Sequence, residues 1–338
     1  MVGCVIARGR QVLGEGYHTR HGAPHAEIEA LRDAADVSLD GATMYVTLEP
    51  CCHHGKTPPC SEAVIQSGIR RIVVAHRDPF PQVAGGGIGQ MREAGLQVDL
   101  GLMESESRAL NAPYLRLIEA GRPWMIAKWA MTLDGKIASQ SGSSQWISGP
   151  DSRAVVQSLR GRVDAIMVGG RTATLDDPLL TARPPGPRTA TRIVVSSKAE
   201  ISLDSRLVRT AAQAPILIAA GPETTAESRQ RLEDARCEVC IYDAPDLVAR
   251  LKLLLEDLGR RRMTNVLVEG GGQLLGSLFD AGVIDEVHTF IASKLVGGDR
   301  AATPIAGRGM ELMSQAVFLA EPQVERIGDD IYVHGRVK

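Results

Sequence analysis

This sequence of 338 residues has few aromatic residues, no long apolar segment and almost no net charge. No apolar run approaches the roughly 20 residues that a membrane-spanning helix needs, and the N-terminus lacks the layout of a secretory signal peptide. Lysine and arginine number 38 against 40 aspartate and glutamate, whereas a large nucleic-acid-binding surface is usually basic. These absences predict a cytoplasmic protein whose partners are neither membranes nor nucleic acids.

Cysteine is also sparse, because six residues are too few for a disulfide scaffold in a chain of this length. Cys51, Cys52 and Cys60 nevertheless lie within ten residues of one another. This clustering indicates a metal site or a reactive thiol rather than a structural bridge, and it fits the reducing cytosol. Glycine, by contrast, accounts for 35 residues. That number indicates the tight turns and close backbone approaches of α/β proteins that bind small molecules.

Strand-like and helix-like segments alternate along the whole chain, which predicts an α/β architecture with mostly parallel sheets covered on both faces. Residues 2–7 and 11–17 are predicted to form a strand hairpin with Arg8-Gly9-Arg10 between the strands. Apolar residues at helical spacing mark residues 26–35, and residues 104–120 are predicted to form one helix. The Gly-Arg-Pro sequence at residues 121–123 then interrupts the pattern. Since domains typically have roughly 100–200 residues, this break predicts two domains, residues 1–120 and residues 121–338.

The first chemical motif combines one histidine with two cysteines. His25 stands at the predicted start of a helix, Cys51 follows a predicted strand, and Cys60 precedes another helix. An imidazole and two thiolates suit Zn²⁺, and three protein ligands leave the fourth position open for water, as in catalytic zinc sites. Glu27 can move a proton between that water and a leaving amine. The main alternative is a structural zinc site with a fourth ligand from Cys52, His53 or His54.

Five segments of the first domain resemble the deaminase half of the bifunctional riboflavin-biosynthesis deaminase/reductases. They are Val2-Gly-Cys-Val-Ile, Pro24-His-Ala-Glu27, Tyr45-Val-Thr-Leu-Glu-Pro-Cys51, His53-His-Gly-Lys-Thr-Pro-Pro-Cys60 and Asp78-Pro. The long insert between the two cysteines is the discriminating feature, because related deaminases usually carry Cys-x-x-Cys there.

This resemblance implies a cytidine-deaminase-like domain with three αβα layers. The implied zinc ligands are His25, Cys51 and Cys60, and Glu27 is implied to be the proton shuttle. The implied substrate site consists of His18, His53, Lys56 and Asp78.

The sequence departs from the family pattern at three places. Family members usually carry a helix and an Asn-Pro segment before Val-Gly-Cys-Val, whereas this sequence begins there, so we expect that N-terminal helix to be missing. Phe80 stands where the family usually has asparagine, and Cys52 replaces the usual serine. The first two departures remove amide groups that would contact the substrate.

The second domain lacks a Gly-x-Gly-x-x-Gly motif after its first predicted strand, which argues against a standard dinucleotide fingerprint there. A later strand instead ends at Glu269 and continues into three glycines, residues 270–272. Glycine backbone without side chains, followed by a helix N-terminus, suits a pyrophosphate. The Glu269 carboxylate can hold ribose hydroxyls. Ser196, Ser197 and Lys198 follow another predicted strand. Hydroxyls and a cation there suit a 2′-phosphate, so NADPH is predicted over NADH.

A dense set of polar residues occupies residues 128–136, 142–147 and 168–183. These segments resemble the reductase half of the same enzymes. That half has a dihydrofolate-reductase-like α/β fold. The resemblance implies that the substrate is faced by Ser144, Arg160, Leu180, Arg183 and Glu269. It implies that the nicotinamide cofactor is faced by Ala130, Trp146, Thr172, Asp176, Ser197, Gly271, Gly272, Gln273, Leu274, Leu275, Gly276 and Ser277. Asp176 is also the candidate proton donor or orienting acid of the reduction, and Lys128 is a second candidate.

Both resemblances together imply a zinc- and NADPH-dependent enzyme of riboflavin biosynthesis that acts on a phosphorylated pyrimidine. Hydrolytic deamination of a diaminopyrimidinone ribosyl phosphate would precede reduction of its ribosyl group to ribityl. Two alternatives stay open at this point. A nucleoside or tRNA deaminase fused to a reductase-like domain would show a basic face, and a reductase with a non-catalytic zinc domain would show four protein ligands. We also expect a homo-oligomer.

Overall fold

The chain divides into two units, Met1–Ala120 and Gly121–Lys338, in a computed structural model that describes residues 1–20, 22–53 and 58–338. Both units are α/β, as the sequence predicts. Within the described ranges, no helix is long and apolar enough to cross a membrane. His54 and Lys56 lie outside the described residues.

The first unit is built on a five-stranded sheet with the strand order β2-β1-β3-β4-β5. Its strands are β1 (Gly3–Arg8), β2 (Gln11–Tyr17), β3 (Thr43–Val46), β4 (Arg71–Val74) and β5 (Gln97–Leu100). Its helices are α1 (Ala26–Asp33), α2 (Cys60–Gln66), α3 (Gly86–Glu93), α4 (Glu104–Leu110) and α5 (Ala112–Ala120).

Parallel pairing in this sheet is confined to β3, β4 and β5. At the other edge, β1 and β2 form the antiparallel hairpin that the sequence predicts. The prediction of mostly parallel pairing is wrong for β1 and β3, which also run antiparallel. The physical reason is a tight turn at Gly9, whose φ of 60° suits glycine and reverses the chain directly between β1 and β2. The chain then passes through α1 and returns as β3, which runs in the same direction as β2.

α1 lies close against β2 because two glycines leave room for its backbone. A Cβ at Gly14 would come within 3.0 Å of Ala30 O, and a Cβ at Gly16 would come equally close to Ala26 O. Ala26 and Ala30 are fully buried in the core of the unit. This close seating fixes the N-terminus of α1 and therefore the residue before it, His25.

Residues 104–120 form two helices, so the prediction of a single helix is wrong. α4 ends at Leu110 and α5 begins at Ala112. Pro113 explains the break, because proline has no N–H to donate to the carbonyl four residues earlier and is tolerated only in the first turn of a helix. Asn111, between the two helices, is buried.

The second unit contains a nine-stranded sheet with the order β10-β9-β8-β7-β11-β6-β12-β14-β13. Its strands are β6 (Trp124–Thr132), β7 (Ala165–Gly169), β8 (Thr191–Val195), β9 (Ile216–Ala220), β10 (Glu238–Ile241), β11 (Asn265–Val268), β12 (Glu286–Ala292), β13 (Leu319–Ile327) and β14 (Asp330–Val337). Its helices are α6 (Pro150–Arg160), α7 (Gly170–Asp176), α8 (Arg206–Arg209), α9 (Ala226–Asp234), α10 (Leu247–Arg260) and α11 (Gly272–Asp280).

The seven strands from β10 to β12 pair in parallel, as predicted, and β12, β14 and β13 then pair antiparallel. The sequence does not predict β13 or the helices α7, α8 and α9. β13 is exposed along most of its length and α9 is mainly polar, so neither shows a clear apolar period. Because neighbouring parallel strands end at the same edge of a sheet, the loops after β7, β8 and β11 lie side by side there.

Candidate functional site

The predicted zinc ligands converge at one point of the first unit. His25 directly precedes α1, Cys51 lies in the turn after β3, and Cys60 is the first residue of α2. Nδ1 of His25 is 3.5 Å from Sγ of Cys51 and 3.2 Å from Sγ of Cys60, and one ligand atom from each residue lies within 4.8 Å of the others. Such spacings suit a shared ion, because Zn–N and Zn–S bonds of roughly 2.0–2.3 Å place tetrahedral ligands about 3.5 Å apart.

The two thiols already interact in a way that favours one thiolate. The backbone N–H of Cys60 donates to Cys51 Sγ at 3.3 Å. A side-chain hydrogen bond from Cys60, assisted by His25, lowers the pKa of Cys51 to about 4. The same hydrogen bond, together with burial, raises the pKa of Cys60. A thiolate beside an imidazole is the donor chemistry that a divalent zinc ion requires.

Glu27 lies in the first turn of α1, beside the cluster and not within it. Its carboxyl is buried and forms a hydrogen bond with the Cys60 side chain. Burial raises the pKa of Glu27 to about 7, although the charge of His25 acts in the opposite direction. The sequence-based placement of a carboxyl next to the metal ligands therefore agrees with this geometry.

Two of the three candidates for a fourth ligand lie outside the metal-ligating group. Cys52 Sγ lies 3.6 Å from Gln82 O and 3.9 Å from Val83 O. The His53 ring lies 6.2 Å from the ring of Phe80, and its buried Nδ1 has no hydrogen-bond partner among the described residues. In the part of the chain that the structure describes, the metal-ligating group thus comprises three residues.

The other residues predicted around this site occupy its surroundings. The His18 ring packs edge-on against the His25 ring at 5.3 Å, and its Nδ1 lies 3.1 Å from Pro24 O. Asp78 accepts from Tyr114 Oη at 2.7 Å and from the Phe80 N–H at 2.9 Å. Lys56 lies outside the described residues, so its predicted role stays a prediction.

Sequence reasoning missed Glu49. This residue connects the loop after β4 and the start of α3 to the metal-ligand turn, which is the turn that carries Cys51. Its buried carboxylate accepts from the backbone N–H groups of Gly85 at 3.0 Å, Ile88 at 3.1 Å and Asp78 at 3.3 Å. A carboxylate placed between the end of a strand and a metal ligand was the available signal. Next to this contact, α3 approaches the turn so closely that a Cβ at Gly87 would overlap Pro50 O.

Three charged residues from separate elements of the second unit meet at one ion-pair cluster. Arg160 donates to Glu269 through Nε at 2.5 Å and through Nη2 at 2.8 Å, and Lys128 Nζ lies 3.4 Å from Glu269 Oε2. Burial alone would raise the pKa of Glu269, but the charges of Arg160 and Lys128 outweigh it and lower this pKa to about 2. Glu269 is therefore ionised, and both its oxygens already accept hydrogen bonds from the two cations.

The glycine loop after β11 forms a patch of bare backbone at the carboxyl edge of the sheet. Gly270 and Gly271 have φ values of 146° and 85°, which only glycine adopts readily. They lie beside Gly169, whose N–H points to Gly270 O at 3.4 Å, and beside Thr172, whose Oγ1 would be 3.2 Å from a Cβ on Gly271. Two strand-to-helix turns without side chains, next to the N-terminus of α11, fit a diphosphate.

The residues of α11 contribute to this patch in different ways. The side chains of Leu274 and Leu275 lie in the hydrophobic core, so only their backbone can face a cofactor. A Cβ at Gly276 would overlap Ala306 O, and Ser277 Oγ donates to Gln273 O at 2.9 Å. The helix begins at Gly272, one residue before the predicted start.

The remaining predicted residues lie along the same edge or nearby. Ser144 Oγ is 3.5 Å from Asp176 Oδ1, and burial raises the pKa of Asp176 despite this hydrogen bond. Trp146 is 65% exposed, and the Arg153 guanidinium lies 4.7 Å from the centroid of its ring. Ala130 belongs to β6, and Ser197 follows β8. Leu180 is buried and has a positive φ, whereas Arg183 is exposed and its N–H donates to the Gln157 side chain.

Comparison with known proteins finds a family match in each unit. Residues 123–333 match the RibD C-terminal domain, and residues 1–76 match the cytidine and deoxycytidylate deaminase zinc-binding region. The riboflavin biosynthesis protein RibD of Actinobacillus pleuropneumoniae is 43% identical over 98% of this chain and 88% of that protein. The chain belongs to the RibD family. This membership confirms the predicted enzyme class, a zinc-dependent deaminase joined to an NADPH-dependent reductase in riboflavin biosynthesis.

Solved RibD structures share the fold of the whole chain. The first form of Acinetobacter baumannii RibD gives a TM-score of 0.86 at 32% identity and covers 100% of this chain and 92% of its own. A Thermotoga maritima structure gives a TM-score of 0.83 at 30% identity with the same coverage. It is described as a diaminohydroxyphosphoribosylaminopyrimidine deaminase/5-amino-6-(5-phosphoribosylamino)uracil reductase.

Proposed function

We propose that residues 1–120 deaminate a diaminopyrimidinone ribosyl 5′-phosphate at C2 and that residues 121–338 reduce the ribosyl group of the product to ribityl with NADPH. The observation that carries the first step is the convergence of His25, Cys51 and Cys60 beside Glu27. The Thermotoga maritima relative is described by the same two activities. The proposal includes a cytoplasmic location and a homo-oligomer. Measuring the mass of the protein in solution would test the oligomeric state.

The first unit provides the groups that the deamination needs. The His25, Cys51 and Cys60 donors fit Zn²⁺, and zinc held there supplies Lewis-acid activation of water. Glu27 takes a proton from the attacking water and gives it to the departing amine, because its carboxyl stands next to the ligands without being one of them. Loss of ammonia then converts the amino-bearing carbon into a carbonyl.

The substrate of this step is held by the polar residues around the cluster. His53 Nδ1, buried and without a partner among the described residues, is a donor or acceptor for the edge of the pyrimidine. His18 packs edge-on against the His25 ring and helps to position it. Asp78 is fixed by Tyr114 and holds the loop that carries Phe80.

The second unit holds its substrate and NADPH on adjoining parts of one sheet edge. NADPH supplies the hydride. The bare backbone at Gly270 and Gly271 receives the diphosphate, while the cations Lys128 and Arg160 are held toward the substrate by Glu269. Lys128 is one group that can give a proton to the opened ribose, and Asp176, hydrogen-bonded to Ser144, is the other.

Replacement of Glu27 by glutamine tests the deaminase assignment. The amide keeps the size of the side chain but cannot shuttle a proton, so we expect deamination to fall by about 10²–10⁴-fold. Zinc content and reduction of the deaminated substrate should stay at wild-type values. Glu29→Gln is the matched control, because Glu29 lies on the same helix and its carboxylate forms an exposed ion pair with Arg32. Equal deaminase activity in the two variants would exclude Glu27 as the proton shuttle.

A further inference from the structure

An ion pair at the carboxyl edge of the second unit has no role in the steps described above. Arg250, near the start of α10, donates from Nη2 to Glu223 Oε1 at 2.6 Å and from Nε to Ala244 O at 3.1 Å. The Arg250 side chain is only 12% exposed, whereas that of Glu223 is 46% exposed. The guanidinium is therefore fixed by the fold, and the carboxylate is the partner that solvent or a ligand can replace.

Gly221 brings this ion pair next to Ser197. The Gly221 N–H donates to Ser197 O at 2.9 Å, and Thr224 Oγ1 donates to the same oxygen at 3.2 Å. A Cβ on Gly221 would come within 3.0 Å of both the Arg250 guanidinium and the Glu223 carboxylate. Ser197, Gly221 and Arg250 line one small cavity. The guanidinium thus rests on bare backbone beside the residue that the sequence predicts to face NADPH.

The charges around this cavity favour an anion with two negative charges. The hydrogen bond from Arg250 is the main cause that lowers the pKa of Glu223, and the positive charge of Lys198 contributes to the same shift. Two cations therefore surround one exposed carboxylate. A phosphate monoester carries more charge than that carboxylate and can accept a bidentate hydrogen-bond pair from a guanidinium.

We propose that Arg250 binds the 2′-phosphate of NADPH together with Ser197 and Lys198, and that Glu223 holds the guanidinium in place until the phosphate displaces it. The proposal rests on the use of NADPH by the second unit. Arg250 is then a residue that determines cofactor specificity, because NADH carries a hydroxyl group where NADPH carries this phosphate. Glu223 competes with the cofactor for the same guanidinium.

Calorimetric titration of the full chain with 2′,5′-ADP and with 5′-AMP, which lacks only the 2′-phosphate, tests the proposal without turnover. The wild type should prefer 2′,5′-ADP. Arg250→Met, which keeps an unbranched side chain next to Gly221, should weaken the binding of 2′,5′-ADP about 10- to 100-fold and leave the binding of 5′-AMP nearly unchanged. Glu223→Gln should tighten 2′,5′-ADP about 2- to 10-fold, because it removes the competing charge. Arg229→Met, which breaks an exposed ion pair with Glu233, is the matched control and should change neither affinity.

The outcomes separate this proposal from the choice of cofactor. Equal weakening of both probes by Arg250→Met, or weakening of neither, overturns the role of Arg250. If circular dichroism shows that Arg250→Met does not fold, Glu223→Gln decides, and unchanged or weaker binding of 2′,5′-ADP overturns the proposal. A wild type that binds both probes equally would contradict NADPH selectivity itself. A wild-type preference that survives Arg250→Met contradicts only the assignment of Arg250.

Discussion

Replacement of Gly87 by alanine tests whether the approach of α3 holds the metal-ligand turn in place. A Cβ at Gly87 would come within 3.0 Å of Pro50 O, 3.2 Å from Pro50 C and 3.5 Å from Glu49 Oε1. Two of these three atoms belong to backbone, so no side-chain rotation relieves the overlap. Inserting a methyl group into such a packed contact costs about 1–3 kcal/mol. The turn between β3 and Cys51 must therefore move away from α3.

Gly89 provides the matched control on the same helix. A Cβ at Gly89 would have no heavy atom within 4 Å, and its φ is not positive. Both alanine variants gain about 1 kcal/mol or less of helix propensity, so their difference isolates the overlap with Pro50. For a unit of this size, about 1–3 kcal/mol corresponds to a melting temperature lower by about 3–12 °C.

Differential scanning calorimetry and zinc analysis after dialysis are the measurements. Gly87→Ala should melt lower than Gly89→Ala and retain less zinc, because the turn that carries Cys51 has been displaced. The transition of the second unit should not change. Melting temperatures of the two variants within about 1 °C of each other, with equal zinc, would refute the reasoning.

Three further predictions concern charge, metal and domain independence. Glu269 has a pKa lowered to about 2, so its ion pairs stabilise the wild type fully above about pH 4.5, and this contribution is lost as the pH falls toward 2. The stability gap between wild type and Glu269→Gln should therefore shrink from pH 5 to pH 2, and a constant gap would contradict the shift. Removal of zinc by a chelator should make Cys51 and Cys60 react with a thiol reagent, whereas identical thiol counts before and after chelation would exclude them as ligands. A fragment of residues 121–338 should fold and bind NADPH alone, and a fragment that aggregates unless residues 1–120 are present would contradict this independence.

Much of the metal centre could be predicted because its ligands lie at the ends of regular elements. His25 precedes α1, Cys60 begins α2, and the strand before Cys51 shows an apolar run that is visible in the sequence. Short motifs carry this information, since the residue type and its position at a helix start both appear locally. The role of Glu49 could not be predicted in the same way. Its partners are backbone N–H groups between 29 and 39 residues away, and backbone donors leave no trace in a sequence.

The failures in the fold have two origins. An unbroken helix over residues 104–120 fits the apolar spacing, and only the position of Pro113 argues against it. The direction of β1 relative to β3 depends on which strands become neighbours. Local propensity does not determine that choice, because strand order follows from the packing of the whole sheet.

The sequence by itself determined the two α/β units, the parallel strands of the second sheet and the residue types that can bind zinc and a phosphorylated cofactor. These features depend on periodicity, turn residues and short motifs, all of which are local properties of the chain. Only the tertiary structure decided that Arg160 and Lys128 share Glu269, which lies 109 and 141 residues away from them. The same holds for Arg250, Glu223 and Ser197. Side chains so distant in sequence meet only when neighbouring strands end at one edge, and this edge exists only in the folded sheet.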